Sequence, residues 1–282
     1  MRKISLKAYA KINITFDIVG KDEATGMHRV DTLMQTIDLA DYVTVTKRGD
    51  NECFSHVSGD IIEDTNAVKA ARLFVEKFGV RGVNIEIVKR IPVGGGLGGS
   101  SADAAAVLRA MAVLFDVPFA EVEPLASEIG SDVAFLLHGG FSRCSGLGDE
   151  MEILEPLPFY CALVATPFGE GVDTAECYAA YDRIVKKPFV VKTDNILSCL
   201  MNYTNTTLFS NNCLFNSACN LNPKVAGAQK YLASDKAITH VAMSGSGSSC
   251  YALYQDPDKA FERIDSPHDG YTLGVYKLVD RY

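Results

Sequence analysis

A glycine-rich segment constrains this chain more than any other part of its sequence. Residues 90–106 read RIPVGGGLGGSSADAAA, with five glycines among the six positions 94–99. A backbone with so few side chains can adopt positive φ and come close to a ligand. Ser100 and Ser101 follow, and an Ala/Leu-rich run through Leu114 predicts a helix. Backbone N–H groups and the positive end of the helix then converge on one point, which predicts an anion site for a nucleotide phosphate.

The overall composition is that of a soluble enzyme. The chain has 282 residues, 48% of them hydrophobic, which suffices for one large domain or two modest ones. No apolar run approaches the ~20 residues that span a bilayer, and the N-terminus lacks the apolar core of a signal peptide. The eight cysteines form no C-x-x-C pair, which favours reduced core residues in a cytoplasmic protein. A net charge of −8 argues against nucleic acid as a partner, but not against a small phosphate ligand.

Strand and helix patterns are mixed along the chain without strict alternation, which predicts an α+β fold. Apolar residues alternate over residues 9–19, the pattern of a strand with one buried face, whereas residues 65–79 have helical spacing. Further strands are predicted at 42–46, 83–88, 160–165, 240–243, 250–254 and 271–279, and further helices at 122–130, 132–138 and from Pro257. Residues 186–222 are only weakly periodic. Because the composition changes after Met151 and Pro156-Leu157-Pro158 is typical of a linker, we predict domains at residues 1–155 and 156–282.

The identity of the glycine loop is open from its own residues. A P-loop of the G-x-x-x-x-G-K-[ST] kind is excluded because the loop contains no lysine. Gly94, Gly96 and Gly99 match the G-x-G-x-x-G spacing of a dinucleotide-binding loop. That fingerprint needs an acidic residue at the end of the next strand, and although Asp116 is roughly placed, residues 115–118 (FDVP) are not typical of a strand end. A nicotinamide-dependent oxidoreductase and a catalytically silent nucleotide-binding regulator therefore remain alternatives to an enzyme that uses a nucleotide triphosphate.

Two charged residues are candidates for catalysis. Lys11 lies on the polar face of the strand at residues 9–19, with Asn13 two residues on. It is either a solvated lysine or the positive charge that the glycine loop lacks. Asp132 lies at or near a helix start. It is either an N-capping residue or a charged acceptor that orients a hydroxyl group or takes its proton.

Two other segments contain polar groups of uncertain use. Residues 243–250 read MSGSGSSC between two predicted strands, which is typical either of a hairpin turn or of a loop that lines a ligand pocket. His28 follows Gly26 and Met27 in a predicted loop, and by itself is typical of a surface histidine.

Taken together, these segments resemble the GHMP kinase superfamily, which has three motifs in a fixed order. Residues 10–13 (AKIN) resemble the first motif, residues 92–105 the ATP phosphate loop, and residues 243–248 the third motif. Residues 26–28 (GMH), 34–39 (MQTIDL), 130–135 (GSDVAF) and 171–178 (GVDTAECY) are similar to those of kinases for a diphosphocytidyl methylerythritol alcohol in non-mevalonate isoprenoid biosynthesis. The resemblance covers most of the chain outside residues 186–222. It implies a two-lobed fold, with an N-terminal ATP-binding lobe and a C-terminal ferredoxin-like α/β lobe.

The resemblance also implies roles for individual residues. Asp132 would be the general base and Lys11 its electrostatic partner. ATP phosphates would bind at Pro92, Val93, Gly94, Gly95, Gly96, Leu97, Gly98, Gly99, Ser100, Ser101, Ala102 and Asp103. Asn13 and Thr174 would contact the erythritol part, Ser244 and Gly245 would line the substrate site, His28 would read the cytosine edge and Tyr178 would stack on its face.

Three positions differ from the usual pattern of these kinases. Met27 replaces a tyrosine, Ser100 a glycine and Ala134 a proline. The expected protein is a cytoplasmic kinase, monomer or homodimer, that uses ATP and Mg²⁺, with no metal ligand assigned among its residues. Within the superfamily, a kinase for homoserine or for a mevalonate-type alcohol is the alternative.

Overall fold

The computed structural model describes residues 2–58, 65–169, 171–184, 193–207, 211–265 and 269–281, which form the α+β fold that the sequence predicts. The strands are β1 (Lys3–Lys21), β2 (His28–Lys47), β3 (Phe54–Val57), β4 (Val83–Val88), β5 (Phe141–Ser145), β6 (Glu150–Ile153), β7 (Cys161–Pro167), β8 (His240–Met243), β9 (Cys250–Tyr254) and β10 (Tyr271–Val279). The helices are α1 (Thr65–Phe78), α2 (Gly99–Phe115), α3 (Phe119–Ile129), α4 (Ser131–His138), α5 (Thr174–Ile184), α6 (Thr193–Met201), α7 (Phe215–Leu221), α8 (Lys224–Ala233) and α9 (Pro257–Ile264). Among these helices, none combines the length and the apolar character that a bilayer crossing requires.

The chain forms two compact units, each built from three separate segments. Unit 1 contains the residues up to Ala10, Leu39–Ile91 and Gly98–Gly139, and unit 2 contains Lys11–Asp38, Pro92–Leu97 and the residues from Gly140 onwards. Strands β1 and β2 therefore contribute residues to both units. The domain boundary predicted after residue 155 falls within unit 2, and it stays a prediction.

Unit 1 packs four helices with a small mixed sheet. The C-terminal half of β2 pairs antiparallel with β4, from Tyr42 opposite Val88 to Lys47 opposite Val83, and β3 pairs parallel with β4. Strand β4 alternates buried and exposed residues, so Val83, Ile85 and Ile87 enter the core whereas Val88 is exposed. Helix α2 is rich in alanine and mostly buried, which lets α1 and α4 pack closely against it.

Unit 2 contains an antiparallel sheet in which the last strand has a central position. Strand β10 pairs with β2 at Ile37 and along its length with β7, and β7 continues through β9 to β8. Helices α8 and α9 pack against this sheet, and α5 packs against α7. Strand β5 pairs with β2 on one side and with β6 on the other.

The predicted strand at residues 9–19 is confirmed within β1, but the expectation of one exposed face is wrong. The polar residues Lys11, Asn13, Thr15 and Asp17 are at most 3% exposed, as deeply buried as their apolar neighbours. Buried polar groups are stable only when they find partners, and Thr15 and Asp17 accept hydrogen bonds from Leu33 and Thr193. This face of β1 is therefore an interior polar surface.

Candidate functional site

The side chains of Lys11 and Asn13 form the polar centre of unit 2. Lys11 Nζ donates a hydrogen bond to Asn13 Oδ1 at 2.6 Å, and Asn13 Nδ2 donates to Thr32 Oγ1 at 2.9 Å. Lysine is rarely buried to this degree, because its charge is costly to remove from water. The arrangement holds an ammonium group at a fixed place in the interior, where it can attract an anion.

The glycine loop turns its carbonyl groups towards the rest of unit 2. Gly94 O accepts from the N–H groups of Ser248 and Val172 at 3.1 Å each, and Gly95 O accepts from Ser249 N at 3.1 Å. The next two carbonyls are used in the same way, with Gly96 O bound by Ser244 Oγ at 2.8 Å and Leu97 O by Lys11 N at 3.0 Å. Four successive carbonyl groups are thus occupied by the protein.

The N–H groups of the same loop are not used in this way. Among the described residues, the backbone N–H groups of Gly95, Gly96 and Leu97 donate no hydrogen bond. Positive φ recurs at every second residue, with 67° at Gly94, 72° at Gly96 and 74° at Gly98. Such alternation turns successive N–H groups towards one concave side, which is a known form of anion site. The loop therefore has the donors that a phosphate group needs.

Close packing also explains why glycine is required at residue 96. A Cβ atom there would overlap the carbonyl oxygen of Ser244 and lie 2.9 Å from that of Gly247. The segment at residues 244–249 connects the antiparallel strands β8 and β9 and also supports the glycine loop, so the hairpin interpretation is confirmed. That this segment lines a ligand pocket stays a prediction.

The residues that follow the loop belong to unit 1. Ser100, Ser101, Ala102 and Asp103 lie in the first turns of α2, whose N-cap is Gly98. The carboxylate of Asp103 is fully buried and pairs with Lys89 Nζ at 2.6 Å. Lys89 therefore neutralises charge at Asp103, whereas Ser100 and Ser101 lie at the positive end of the helix.

Two backbone N–H groups are fixed by a second buried carboxylate of unit 1. Asp41 pairs with Lys89 Nζ at 2.5 Å, and its Oδ1 accepts from Arg90 N and Ile91 N. Lys89 thus lies between two carboxylates that are both 0% exposed. Burial lowers the pKa of Lys89, but the neighbouring charges of Asp103 and Asp41 outweigh it and raise the pKa above its ordinary value. This ion cluster fixes the chain on both sides of the glycine loop.

Asp132 lies in the first turn of α4 and is half-buried. Gly130 takes the N-cap position of that helix, so the N-capping interpretation of Asp132 is wrong. Negatively charged side chains in the first turn of a helix interact favourably with the helix dipole. Asp132 belongs to unit 1 and Lys11 to unit 2, and their meeting at one reacting centre stays a prediction.

Two of the predicted substrate residues, Ser244 and Gly245, lie beside the buried Lys11–Asn13 pair in unit 2, and a third, Thr174, contacts the same segment. Ser244 Oγ accepts from Asn13 N at 3.2 Å while it donates to Gly96 O, so it connects β1 with the glycine loop. A Cβ atom at Gly245 would lie 3.3 Å from Lys11 Nζ. Thr174, in the first turn of α5, shares a hydrogen bond of 2.9 Å with Ser246. Asn212 was not predicted from the sequence, and its Nδ2 donates to the carbonyl groups of Met243 and Gly245.

His28 and Tyr178 come together at another place in unit 2. Their ring centroids are 4.9 Å apart with an interplanar angle of 37°. His28 Nε2 lies 2.8 Å from Asp182 Oδ1, and Lys21 Nζ lies 2.7 Å from the other oxygen of that carboxylate. The sequence analysis missed Asp182, although it follows Tyr178 by four residues on α5 and so lies on the same helix face.

The described residues also limit how a metal ion can be held. Among them, no group of three His, Cys, Asp or Glu side chains has an arrangement suited to a metal. Mg²⁺ in phosphoryl-transfer enzymes is bound through phosphate oxygens and water with one or two carboxylates.

Comparison with known families and proteins gives consistent matches. Residues 66–140 match the family model of the GHMP kinases N terminal domain, and residues 201–268 match that of the GHMP kinases C terminal region. A 4-diphosphocytidyl-2-C-methyl-D-erythritol kinase of Brevibacillus brevis is 35% identical over 283 residues, which cover 97% of this chain and 95% of the relative. One from Clostridium beijerinckii is 36% identical over 267 residues, which cover 91% and 93%.

A solved structure has the same fold. The crystal structure of a 4-(cytidine 5'-diphospho)-2C-methyl-D-erythritol kinase superposes with a TM-score of 0.81 at 29% identity, and the match covers 98% of this chain and 99% of that one. The similarity in sequence and in fold thus extends over almost the full length of the proteins compared.

Proposed function

This chain belongs to the 4-diphosphocytidyl-2-C-methyl-D-erythritol kinase family of the GHMP kinases, and from that premise we propose that it phosphorylates the 2-hydroxyl group of 4-diphosphocytidyl-2-C-methyl-D-erythritol. The family transfers a phosphoryl group to an alcohol, and ATP is the donor that it implies. Family membership gives no support to an oxidoreductase or to a silent regulator.

The orientation of the glycine loop is the observation that carries the proposal. Its carbonyl groups from Gly94 to Leu97 are bound by unit 2, while N–H groups at residues 95–97 have no acceptor among the described residues. A triphosphate supplies acceptor oxygens of matching charge. In our proposal the segment from Pro92 to Asp103 therefore seats the phosphates of ATP, and Asp103 contributes through its ion pair with Lys89.

We assign the proton and charge chemistry to Asp132 and Lys11. Phosphoryl transfer depends chiefly on positioning and on neutralising charge that spreads over phosphate oxygens. Asp132 would accept the proton of the attacking hydroxyl group, and the buried ammonium of Lys11 would stabilise the negative charge. A Mg²⁺ ion bound with ATP would further neutralise the phosphate charge.

The remaining predicted residues would bind the alcohol. Asn13 and Thr174 would contact its erythritol part beside Ser244 and Gly245. His28 would read the edge of the cytosine, and Tyr178 would stack on its face. We further propose that the enzyme is cytoplasmic, that it acts as a monomer or homodimer, and that residues 1–155 and 156–282 are functional domains that do not fold independently of each other.

Steady-state kinetics with three alcohols tests the proposal. The cytidylyl alcohol, mevalonate and homoserine are each supplied with ATP and Mg²⁺, and the product is identified by mass spectrometry and ³¹P NMR. We expect kcat/KM to be highest for the cytidylyl alcohol by several orders of magnitude. A higher value for mevalonate or homoserine would replace the proposed substrate.

A variant of His28, the residue proposed to bind cytosine, provides an independent check on the substrate. We expect H28A to raise KM for the cytidylyl alcohol about tenfold or more, the factor provided by one hydrogen bond to a buried or charged group, and to leave KM for ATP unchanged. Equal effects on both KM values would contradict a role of His28 in reading cytosine.

A further inference from the structure

Three side chains of unit 2 form a hydrogen-bonded series beside Tyr178. Lys21 Nζ lies 2.7 Å from Asp182 Oδ2, and His28 Nε2 lies 2.8 Å from Asp182 Oδ1. The side chain of His28 is 14% exposed, that of Asp182 36% and that of Lys21 51%, so the series leads from the protein surface inward to the imidazole. The contact between Asp182 and this imidazole affects which nucleobase the site prefers. This inference rests on the proposed function.

The partners of Asp182 determine which nitrogen of His28 carries hydrogen. Partial burial acts to raise the pKa of Asp182, but hydrogen bonds from Lys21 and His28 outweigh it and hold the pKa below its ordinary value. The carboxylate is therefore ionised at neutral pH and can only accept hydrogen bonds. His28 must then donate through Nε2–H, and in the neutral ring the lone pair is on Nδ1.

The surrounding aromatic rings fix the orientation of the imidazole. Tyr178 stacks obliquely on His28 at 4.9 Å, and Tyr181 meets it edge-on at 6.2 Å and 82°. Both tyrosines are on α5, which also carries Asp182. One helix thus sets the position, the tilt and the hydrogen-bonding state of the ring, and within the described residues Nδ1 is left for a ligand.

Cytosine and uracil differ at the atom that such an acceptor can distinguish. Cytosine has an exocyclic amino group, which donates, whereas uracil has a carbonyl group at the same position, which only accepts. If the Nδ1 lone pair faces the base, binding of uracil would place its carbonyl oxygen, an acceptor, opposite a second acceptor. Leaving such polar groups unpaired in a binding site is costly, and discrimination follows from it.

We propose that Asp182 is a positioning residue that holds His28 as the Nε2–H tautomer, so that Nδ1 accepts a hydrogen bond from the amino group of cytosine and uracil is rejected. Lys21 supports this role by holding the second oxygen of the carboxylate. Replacing Asp182 by asparagine keeps the size of the side chain, but its amide can also donate to Nε2 and so permits the other tautomer.

The kinetic test compares kcat/KM for alcohols linked to cytidine diphosphate and to uridine diphosphate. We expect the wild type to prefer the cytidine form, and D182N to reduce that preference about tenfold or more while KM for ATP is unchanged. E176Q is the matched control, because it removes one exposed carboxylate from the same helix without contact to His28, and it should keep the wild-type preference. An unchanged preference in D182N would overturn the proposal.

Imidazole ¹⁵N NMR tests the tautomer without any activity. With H28Q used to assign the signals, the wild type should show His28 with hydrogen on Nε2, and D182N should show an increased Nδ1–H population. A wild-type ring with hydrogen on Nδ1 would overturn the proposal. If the wild type fails to phosphorylate the cytidine form but shows the expected tautomer, the proposed function is wrong while the role of Asp182 in holding the ring stands. Thermal unfolding of D182N within a few degrees of the wild type would show that the fold is intact.

Discussion

At the scale of single residues, the general-base role proposed for Asp132 gives the most direct prediction for turnover. We expect D132N to lower kcat by about 10²–10⁴, the range for loss of a positioned general base, because the amide cannot take the proton of the hydroxyl group. ATP binding should be retained, since in our proposal the carboxylate acts on the alcohol. Calorimetry for ATP and initial rates for the alcohol measure the two effects, and E121Q, an exposed acid in the first turn of α3, is the control. A wild-type kcat in D132N would remove Asp132 from the mechanism.

Some properties of single residues could not be predicted from the sequence. The alternation over residues 9–19 correctly placed Lys11 and Asn13 on one face of β1. It did not predict that this face is buried, because alternation separates two faces without saying what covers each. Asp182 was missed for a related reason, since its partners Lys21 and His28 are distant in sequence.

At the scale of elements, the glycine loop is expected to be intolerant of a side chain at residue 96. In G96A the new Cβ would overlap the carbonyl oxygen of Ser244, and φ is 72°, so both packing and backbone are strained. We expect an increase in KM for ATP of at least about tenfold together with a loss of about 1–3 kcal/mol of stability. G49A is the control, because nothing lies within 4 Å of a Cβ there. Wild-type kinetics for G96A would show that the loop does not depend on this contact.

The buried ion cluster at the ends of the loop makes Lys89 important for stability. In K89M, the carboxylates of Asp41 and Asp103 would remain buried without their cation, which costs about 3–5 kcal/mol. Urea denaturation gives the free energy of unfolding, with K7M as the control because Lys7 is exposed on β1. A change below about 1 kcal/mol would mean that the two carboxylates are protonated or hydrated in the variant.

Elements with clear periodicity were predictable, and others were not. The helical spacing from Thr65 and the Ala-rich run from residue 100 correspond to α1 and α2. Only residues 42–46 of β2 were predicted, although it extends over His28–Lys47, because most of its residues are buried on both faces and show no alternation. In residues 186–222 the structure has α6 and α7, and residues 185–192 and 208–210 lie outside the described residues.

At the scale of the whole molecule, a buried histidine couples stability to pH. His240 is 0% exposed, with Thr206 Oγ1 2.8 Å from Nδ1 and the Tyr251 hydroxyl 3.1 Å from Nε2. Burial lowers its pKa to about 3, whereas an unfolded histidine titrates near 6.5. Between these values the unfolded chain binds a proton that the folded chain does not, so stability falls as the pH is lowered from about 6.5 towards 3.

The expected slope from this single proton is at most ~1.4 kcal/mol per pH unit. Urea denaturation between pH 4.5 and 7 should show a smaller slope for H240Q than for the wild type, whatever the absolute stability of the variant. H56Q, at an exposed histidine, should keep the wild-type slope. An identical slope in H240Q would show that His240 is protonated or accessible in the folded protein.

The arrangement of the chain predicts how fragments behave. Residues 156–282 lack the segments Lys11–Asp38 and Pro92–Leu97, which unit 2 requires. We expect this fragment alone to show no cooperative unfolding transition by circular dichroism, in contrast to the full chain. A cooperative transition would support residues 156–282 as an autonomous domain. Sequence composition could suggest the linker near residue 156, but it could not reveal that β1 and β2 each contribute to both units.

The central position of β10 has a consequence for synthesis of the protein. Residues 271–279 leave the ribosome after every other described strand of unit 2, yet they lie between β2 and β7. Until then the edges of both neighbouring strands are unpaired and open to association with other nascent chains. Translation that stops before residue 271 would therefore release a polypeptide with two exposed sheet edges, which is a substrate for chaperones and proteases.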